Sequence, residues 1–322
     1  MRTLFFLATT ILLLAGCAAV PPIADHAQAR ALSNGALALM NQGDDAGAIT
    51  LLNRVIAYNG GEVEDFTRRA TAHASLTRHL DALRDLDKAI AMDPTRWRSF
   101  LLRAVTNQKL GRFDAAIADL TAALRLQPND VELVRRRAYL QLVTERFDAA
   151  AADYQRLAEM LPRASTGPFG RAVALYLSGD WPAATQAFAR QVKDAPADGI
   201  VTLWMVKASL RGEMFIAWDQ LVSRAGPEPD WAPEWAMVRA LLLNPTEEDL
   251  GHEMAAYRTV RPGRRTVGAC EQALFFGAWA EIKGLRARAR AHFESARASC
   301  PPDSVEAAEA RTELARAQRV ER

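Results

Sequence analysis

The sequence contains few of the residues on which most enzymes and metalloproteins depend. Only five of its 322 residues are histidines and three are cysteines, and aromatic residues make up 7% of the chain. No two histidines have the spacing of a metal-binding helix motif, so we predict neither a metal site nor a cofactor. The charge is nearly balanced, with 40 basic and 38 acidic side chains, which argues against a surface that binds nucleic acid.

Motifs that carry catalysis are missing as well. The segment HEMAAY, which begins at His252, lacks the second histidine of a zinc-protease helix. The segment GPFG, from Gly167 to Gly170, has neither the lysine nor the preceding strand of a phosphate-binding loop. Acidic residues mostly have basic residues three or four positions away, as between Asp81 and Lys88, which is typical of a solvated helix face. We therefore predict that the protein is not an enzyme, the alternative being an enzyme of unrecognised type.

Long hydrophobic runs are missing too. The uncharged run from Leu4 to Ala15 has twelve residues, fewer than the roughly 20 that span a membrane, and it follows Arg2 as in a secretory signal. Residues 14–17, LAGC, resemble the lipobox of bacterial lipoproteins, whose signal peptidase cuts before the cysteine. The resemblance implies a signal peptide over residues 1–16 and a lipid on Cys17, which anchors the chain to a membrane. The alternative is an ordinary signal peptide with a chance cysteine.

The residue after this cysteine bears on which membrane holds the lipid. Ala18 stands where an aspartate would, by the rule known for enterobacteria, retain a lipoprotein at the inner membrane. We therefore expect the protein at the outer membrane, facing the periplasm, with the inner membrane as the alternative. Residues 17–28 would then form a lipidated tether.

A constant period organises the rest of the chain. Four prolines are evenly spaced, and an alanine stands twelve residues before each of them: Ala82 before Pro94, Ala116 before Pro128, Ala150 before Pro162 and Ala184 before Pro196. A large apolar residue follows each alanine by four positions: Leu86, Leu120, Tyr154 and Phe188. The pattern and its period resemble the tetratricopeptide repeat (TPR), a unit of about 34 residues that contains a pair of helices. It implies an all-α, right-handed α-α superhelix of stacked helical hairpins.

The repeat divides the chain into segments. Residues 29–198 form five TPR units, whose helices turn at Gly43, Gly111 and Gly179, with Thr77 and Glu145 in the intervening units. Beyond Asp198 the period falters, and residues 199–263 are predicted to be degenerate helical hairpins. The signature returns in a C-terminal unit over residues 264–303. A final helix, residues 304–322, is expected to cap the solenoid, with Val305, Ala308, Thr312 and Ala315 on its inner side and a polar outer face.

The resemblance also bears on the other two cysteines. Cys270 and Cys300 fall at positions 1 and 31 of the last unit, and the antiparallel helices of a TPR unit bring these positions side by side. In the periplasm disulfides form, so we predict a Cys270–Cys300 bond. Two buried free thiols are the alternative.

The function implied by the resemblance is binding, because TPR solenoids expose a concave surface lined by the first helix of each unit. The family's binding positions place seven candidates in this groove: Arg98, Leu101, Gln108, Arg135, Tyr139, Phe169 and Tyr176. Such a mixture suits an extended peptide or a helix of a partner protein. The clamp that holds a terminal carboxylate in chaperone-binding TPRs is not reproduced, because Leu101 and Val105 occupy its positions.

Taken as a whole, the sequence resembles outer-membrane TPR lipoproteins of the NlpI type. The resemblance implies an adaptor that gathers periplasmic proteins, with cell-wall hydrolases and a processing protease as partners and a homodimer as a common state. The alternative is a structural component of an envelope assembly, such as a complex for pilus-secretin assembly or for outer-membrane protein insertion.

Overall fold

The computed structural model of the chain describes residues 22–194, 199–214 and 268–320, and all regular secondary structure in these ranges is α-helical. In chain order the helices are α1 (His26–Asn41), α2 (Asp45–Asn59), α3 (Val63–Ser75), α4 (His79–Met92), α5 (Trp97–Lys109), α6 (Phe113–Leu126), α7 (Val131–Val143), α8 (Phe147–Met160), α9 (Thr166–Ser178), α10 (Trp181–Asp194), α11 (Gly199–Arg211), α12 (Ala269–Ile282), α13 (Arg286–Ser299) and α14 (Val305–Val320). The predicted signal peptide, Cys17 and the predicted hairpins beyond Met214 lie outside the described residues. No helix within these ranges combines the length and apolarity needed to cross a membrane.

The helices pack as stacked hairpins. Within the first five pairs, α1–α2 to α9–α10, each helix packs against its partner, and each pair also packs against the next along the chain. The pair α12–α13 forms a further hairpin. The predicted all-α solenoid is therefore confirmed. Helix α1 begins three residues before the predicted unit boundary at residue 29, because the Asp25 carboxylate caps it by accepting the Gln28 N–H at 2.7 Å.

The alanine seam predicted from the period lies at the centre of every hairpin. The seam alanines are almost inaccessible to solvent: Ala48, Ala82, Ala116, Ala150, Ala184 and Ala289. The residues one turn later are buried beside them: Leu52, Leu86, Leu120, Tyr154, Phe188 and Phe293. Because alanine has the smallest side chain that still favours helix, it lets the two helices approach closely while the larger residue fills the remaining space.

The turn inside each unit uses a left-handed backbone. The backbone angle φ is +83° at Gly43, and it is also positive at Thr77 (59°) and at Glu145 (63°), where side chains make this conformation costly. Glu213, which stands one repeat after Gly179, has φ of 51°. The repeat register therefore continues through α11 into its turn, one helix further than the sequence pattern indicates.

Three buried ion pairs recur with the same period, and we call them the arginine–aspartate ladder. Arg69 binds Asp85 at 2.6 Å, Arg103 binds Asp119 at 2.6 Å and Arg137 binds Asp153 at 2.7 Å. The three aspartates are only 5–6% exposed. The expectation of a solvated face around Asp81–Lys88 is therefore wrong for Asp85, since an arginine of the preceding helix neutralises it inside the hairpin. The ladder ends at Asp153, because Ala187 stands one period later.

The GPFG segment at the start of α9 allows this helix to pack closely against α8. A Cβ atom on Gly167 would lie 2.5 Å from the backbone nitrogen of Ala158, and one on Gly170 would lie 2.4 Å from the ring of Tyr154. Real Cβ atoms do not approach neighbours so closely, so both glycines are needed for helices α8 and α9 to touch.

The last hairpin contains a disulfide. Cys270 in the first turn of α12 and Cys300 at the end of α13 are joined, with a distance of 4.8 Å between their Cα atoms. The bond ties the open ends of the hairpin together just before the connection to α14.

Candidate functional site

The first helices of neighbouring units form the inner surface of the solenoid. Helices α1, α3 and α5 contact one another in series, and α9 contacts α11 in the same way. We call this surface, formed by α1, α3, α5, α7, α9 and α11, the inner groove. Its two halves differ, because the C-terminal helix α14 lies on the half formed by α7, α9 and α11.

Hydrogen bonds join α14 to the ends of α7 and α9. Arg311 donates to the backbone carbonyl of Val143 at 2.7 Å, and Arg316 donates to that of Leu177 at 2.5 Å. Both carbonyls belong to the last turn of their helices, where backbone acceptors have no partner within the helix and the helix dipole attracts cations. The Tyr139 hydroxyl donates to the carbonyl of Asp303 at 2.7 Å, just before α14 begins.

Two ion pairs join α14 to α11. Lys207 binds Glu309, and Arg211 binds Glu313 at 2.6 Å. Glu309 and Glu313 are 2% and 1% exposed. The expectation that α14 presents a polar outer face is therefore wrong on this side of the helix. Its two glutamates point inward because α11 supplies a buried cation opposite each of them.

Aromatic rings surround the two cations. The Lys207 ammonium lies 4.2 Å from the centre of the Trp204 ring, and the Arg211 guanidinium lies 5.4 Å from the centre of the Tyr176 ring. Such contacts favour cations that have lost water. Burial raises the pKa of Glu309 above its ordinary value in spite of the neighbouring Lys207, and burial also raises the pKa of the Tyr176 phenol. The site is thus a buried, charged contact between two helices.

The seven groove candidates differ in how far their side chains are exposed to solvent. Arg98 and Arg135 are exposed, Arg135 being paired with Glu132, and Leu101 and Gln108 are half-buried. Tyr139 and Phe169 are half-buried beside α14 or the cavity described below. Tyr176 is 0% exposed. Its prediction as a groove contact for a partner is wrong in this arrangement, because α14 and the cations of α11 cover the ring.

A cavity of about 550 Å³ lies where the inner groove meets α12 and α14. Its walls are mostly apolar and include Leu142, Phe169, Val173, Trp204, Leu274 and Val305. The charged lining residues are Lys207, Glu271, Glu306 and Glu309. No cluster of metal-ligating side chains occurs in the part of the chain that the structure describes.

The sequence reasoning missed the four charged residues that hold α14. Lys207 and Arg211 are four positions apart on α11, and Glu309 and Glu313 are four positions apart on α14. Two helices with opposite charges at the same spacing can pair one turn against another. That matched spacing shows that the two helices are able to pair, but it does not indicate that they meet.

Comparison with known proteins agrees with this architecture. Residues 67–131, 101–165 and 135–199 match the tetratricopeptide repeat family, and each match begins one repeat period after the previous one. No curated protein matches the chain in sequence.

Solved structures resemble the chain in fold. A tetratricopeptide repeat protein from Parabacteroides merdae superposes with a TM-score of 0.55 at 13% identity, covering 89% of this chain and 98% of its own. The C-terminal part of a TPR repeat-containing protein from Cytophaga hutchinsonii gives 0.50 at 16% identity, covering 83% and 95%. At this identity the likeness concerns the fold alone. The repeat matches show that residues 67–199 consist of tetratricopeptide repeats, and the superpositions show the same fold over the larger part of the chain.

Proposed function

We propose that this protein is a lipid-anchored adaptor of the bacterial cell envelope, which binds a partner protein in the open half of its inner groove. TPR units imply protein–protein interaction, and proteins built from them are in general scaffolds without catalytic activity. The anchor is supported by the LAGC sequence at residues 14–17 after a short uncharged run. The periplasmic side is supported by the disulfide between Cys270 and Cys300.

One observation carries the binding proposal: half of the inner groove already holds a helix. Helix α14 lies on α7, α9 and α11, so the curvature of the solenoid leaves room for a helix along its first helices. On the other half, α1, α3 and α5 present a mixed surface. Leu37 is 41% exposed, Leu101 and Val105 are half-buried, and Arg98 is exposed. Apolar contacts flanked by an arginine are typical of protein interfaces.

Site-specific photocrosslinking in cells tests this surface. A photoreactive residue at Leu37 or Val105 faces the open half of the groove, and a matched control at Arg84, whose side chain is 76% exposed, lies on the second helix of a unit. We expect one defined crosslinked partner from the two groove positions and none from Arg84. Crosslinks to a cell-wall hydrolase or a protease would agree with the family resemblance, and crosslinks to a second copy would show a homodimer.

The anchor needs its own test. Metabolic labelling with a palmitate analogue should mark the wild-type protein in the outer-membrane fraction, and Cys17→Ser should abolish both the label and the membrane association. Labelling that survives in Cys17→Ser would contradict the lipobox.

The second candidate function is a structural component of an envelope assembly. It is favoured by the covered half of the groove, where α14 occupies surface that a partner would otherwise contact. Equal crosslinking from Leu37, Val105 and Arg84 to several subunits of one complex would support this function over the adaptor.

A further inference from the structure

The two layers of helices in the solenoid differ in charge. In the first four units, the first helices α1, α3, α5 and α7 contain nine arginine or lysine residues and three acidic residues, whereas the second helices α2, α4, α6 and α8 contain five and nine. The arginine–aspartate ladder pairs three of these arginines with three of these aspartates inside the hairpins. Six basic and three acidic residues then remain on the first helices, and five basic and six acidic residues remain on the second helices. The inner groove is therefore the basic side of a chain whose overall charge is almost balanced.

Two arginines bridge neighbouring helices across the inner groove. Arg68 of α3 donates to the backbone carbonyl and to the hydroxyl of Ser33 on α1, at 3.1 and 2.7 Å. Arg96, directly before α5, donates to the Glu64 carboxylate on α3 at 2.5 Å. Because both bridges join first helices of successive units, these arginine side chains lie on the inner groove and not between the two helices of a hairpin.

The acidic residues of this surface do not neutralise it. Two glutamates are each shared by two arginines: Glu64 by Arg68 and Arg96, and Glu132 by Arg135 and Arg136. The third acidic residue, Asp65, is 4% exposed and accepts a hydrogen bond from Ser33. Arg30 and Arg98 stand one repeat period before and after Glu64, and both are exposed. The open half of the inner groove thus presents more positive than negative charge to solvent.

The covered half of the groove gives an example within the same chain. Lys207 and Arg211 of α11 bind the carboxylates of Glu309 and Glu313 on α14. Helix α14 is a fixed part of the fold, because its buried residues share a hydrophobic core with α12 and α13. The contact nevertheless shows that cations on the inner side of the solenoid pair with carboxylates of a helix that lies along it.

Apolar side chains lie among the exposed arginines of the open half. Leu37 on α1 is exposed, and Leu101 and Val105 on α5 are half-buried. An aliphatic surface of this kind binds apolar side chains, whereas proteins that bind single-stranded nucleic acid stack its bases on aromatic rings. Opposite charge on a partner steers its approach and determines its orientation. A protein segment that combines carboxylates with apolar residues therefore fits this surface better than a nucleic acid does.

We infer that the open half of the inner groove binds an acidic segment of a partner protein, in which aspartate or glutamate residues flank apolar ones. The carboxylates of the segment pair with Arg30 and Arg98, and its apolar residues contact Leu37 and Val105. This inference rests on the proposed function and names the chemistry of the partner at the same surface.

Charge reversal combined with photocrosslinking in cells tests the inference. With the photoreactive residue at Leu37, Arg30→Glu/Arg98→Glu should lower the yield of crosslinked partner at least tenfold, because the partner's carboxylates then meet like charges. The matched control is Arg84→Glu/Arg125→Glu, which makes the same change in net charge at two exposed arginines of the second helices. This control should leave the yield unchanged.

The outcomes separate the inference from the proposed function. The yield should recover in Arg30→Lys/Arg98→Lys, since these substitutions keep the positive charges. A wild-type crosslink that persists in Arg30→Glu/Arg98→Glu, or a captured segment without acidic residues, would overturn the inference while the proposed function stands. If the wild type gives no crosslinked partner, the proposed function fails, and the binding of peptides then decides the inference. Peptide binding to the unreversed chain also decides if circular dichroism shows that the charge-reversed variant does not fold.

A library of random 12-residue peptides displayed on phage is the probe for that second experiment. The chain from residue 17, carrying Cys17→Ser, should select peptides rich in aspartate, glutamate and apolar residues. Their binding should weaken at least tenfold when the salt concentration rises from about 0.1 M to about 1 M, because salt screens exposed charges. Selection of basic or uncharged peptides, or of none, would overturn the inference.

Two other occupants of the groove have their own readouts. A fluorescent single-stranded oligonucleotide that binds more tightly than the selected peptides would overturn the inference by making a nucleic acid the ligand. Sedimentation that shows a dimer of the wild type, and a monomer of Arg30→Glu/Arg98→Glu, would overturn it by making a second copy of this chain the occupant.

Discussion

Breaking one rung of the arginine–aspartate ladder should destabilise its hairpin strongly. In the unit of α7 and α8, Arg137 donates to both carboxylate oxygens of Asp153, at 2.8 and 2.7 Å, and also to the Thr121 hydroxyl of the preceding unit at 3.2 Å. The Asp153 side chain is 8% exposed and that of Arg137 is 17% exposed. Arg137→Ala leaves a buried carboxylate without its cation, which costs about 3–5 kcal/mol. The partial exposure of the arginine places our expectation near the lower limit, at about 3 kcal/mol.

A double-mutant cycle separates the interaction between Arg137 and Asp153 from the effect of each residue alone. Replacing both partners by apolar residues, as in Arg137→Met/Asp153→Leu, should cost much less than either single change, because no buried charge is then left unpaired. The exposed pair Arg84–Asp81, whose side chains are 76% and 35% exposed, is the matched control. Its removal should change stability by less than about 0.5 kcal/mol.

Local hydrogen exchange is the appropriate assay, since repeat arrays need not unfold as one unit. A loss of about 3 kcal/mol corresponds to exchange more than a hundredfold faster for amides of α7 and α8. If Arg137→Ala accelerated exchange no more than Arg84→Ala, the burial argument would be refuted. A double variant as unstable as Arg137→Ala would refute the argument from the unpaired charge.

Three further predictions concern the turns, the cysteines and one partly buried histidine, His73. Gly111→Ala should lower the free energy of unfolding by about 1 kcal/mol. No atom lies within 4 Å of the added Cβ, so the cost is that of placing a side chain on a left-handed backbone. Thr77→Gly should raise the free energy of unfolding, and urea unfolding measures both changes. Cys270 and Cys300 should resist a thiol reagent until a reductant is added, and labelling of the native protein without reductant would contradict the bond. Burial lowers the pKa of His73 below its ordinary value of 6.5, although the nearby Asp85 acts in the opposite direction. The unfolded chain therefore takes up a proton at His73 at a higher pH than the folded protein does. The stability that neutral His73 contributes is fully present above pH 6.5 and is lost as the pH falls through the lower pKa of the folded state. An NMR titration of the His73 ring measures that pKa, and a value at or above the ordinary one would contradict the reasoning.

The repeat units could be predicted because their signals are local and periodic. An alanine such as Ala116 recurs where two helices must approach closely, and a proline such as Pro128 recurs where the second helix must end. The packing of α11 was harder to predict, since Glu213 adopts the left-handed turn conformation that glycine usually marks. In that unit the backbone conformation follows from the stacking of the solenoid rather than from the residue.

The candidate site was predicted in part. The concave surface and exposed positions such as Arg98 follow from the repeat, because the first helix of each unit is on the inside. The burial of Tyr176 does not, since it depends on a helix that comes much later in the chain. Asp85 and Glu309 illustrate the same limit. A charged residue on a helix has the local pattern of solvent exposure, and only a cation from another helix makes its burial favourable.

By itself, then, the sequence determined the helical class, the repeating units and the cysteine pairing, because each depends on residue types at short or regular spacing. The tertiary structure alone decided that α14 lies in the inner groove. Its glutamates meet Lys207 and Arg211 across a separation of 102 residues, and no local pattern in either helix records which distant charges will be brought together when the solenoid curves.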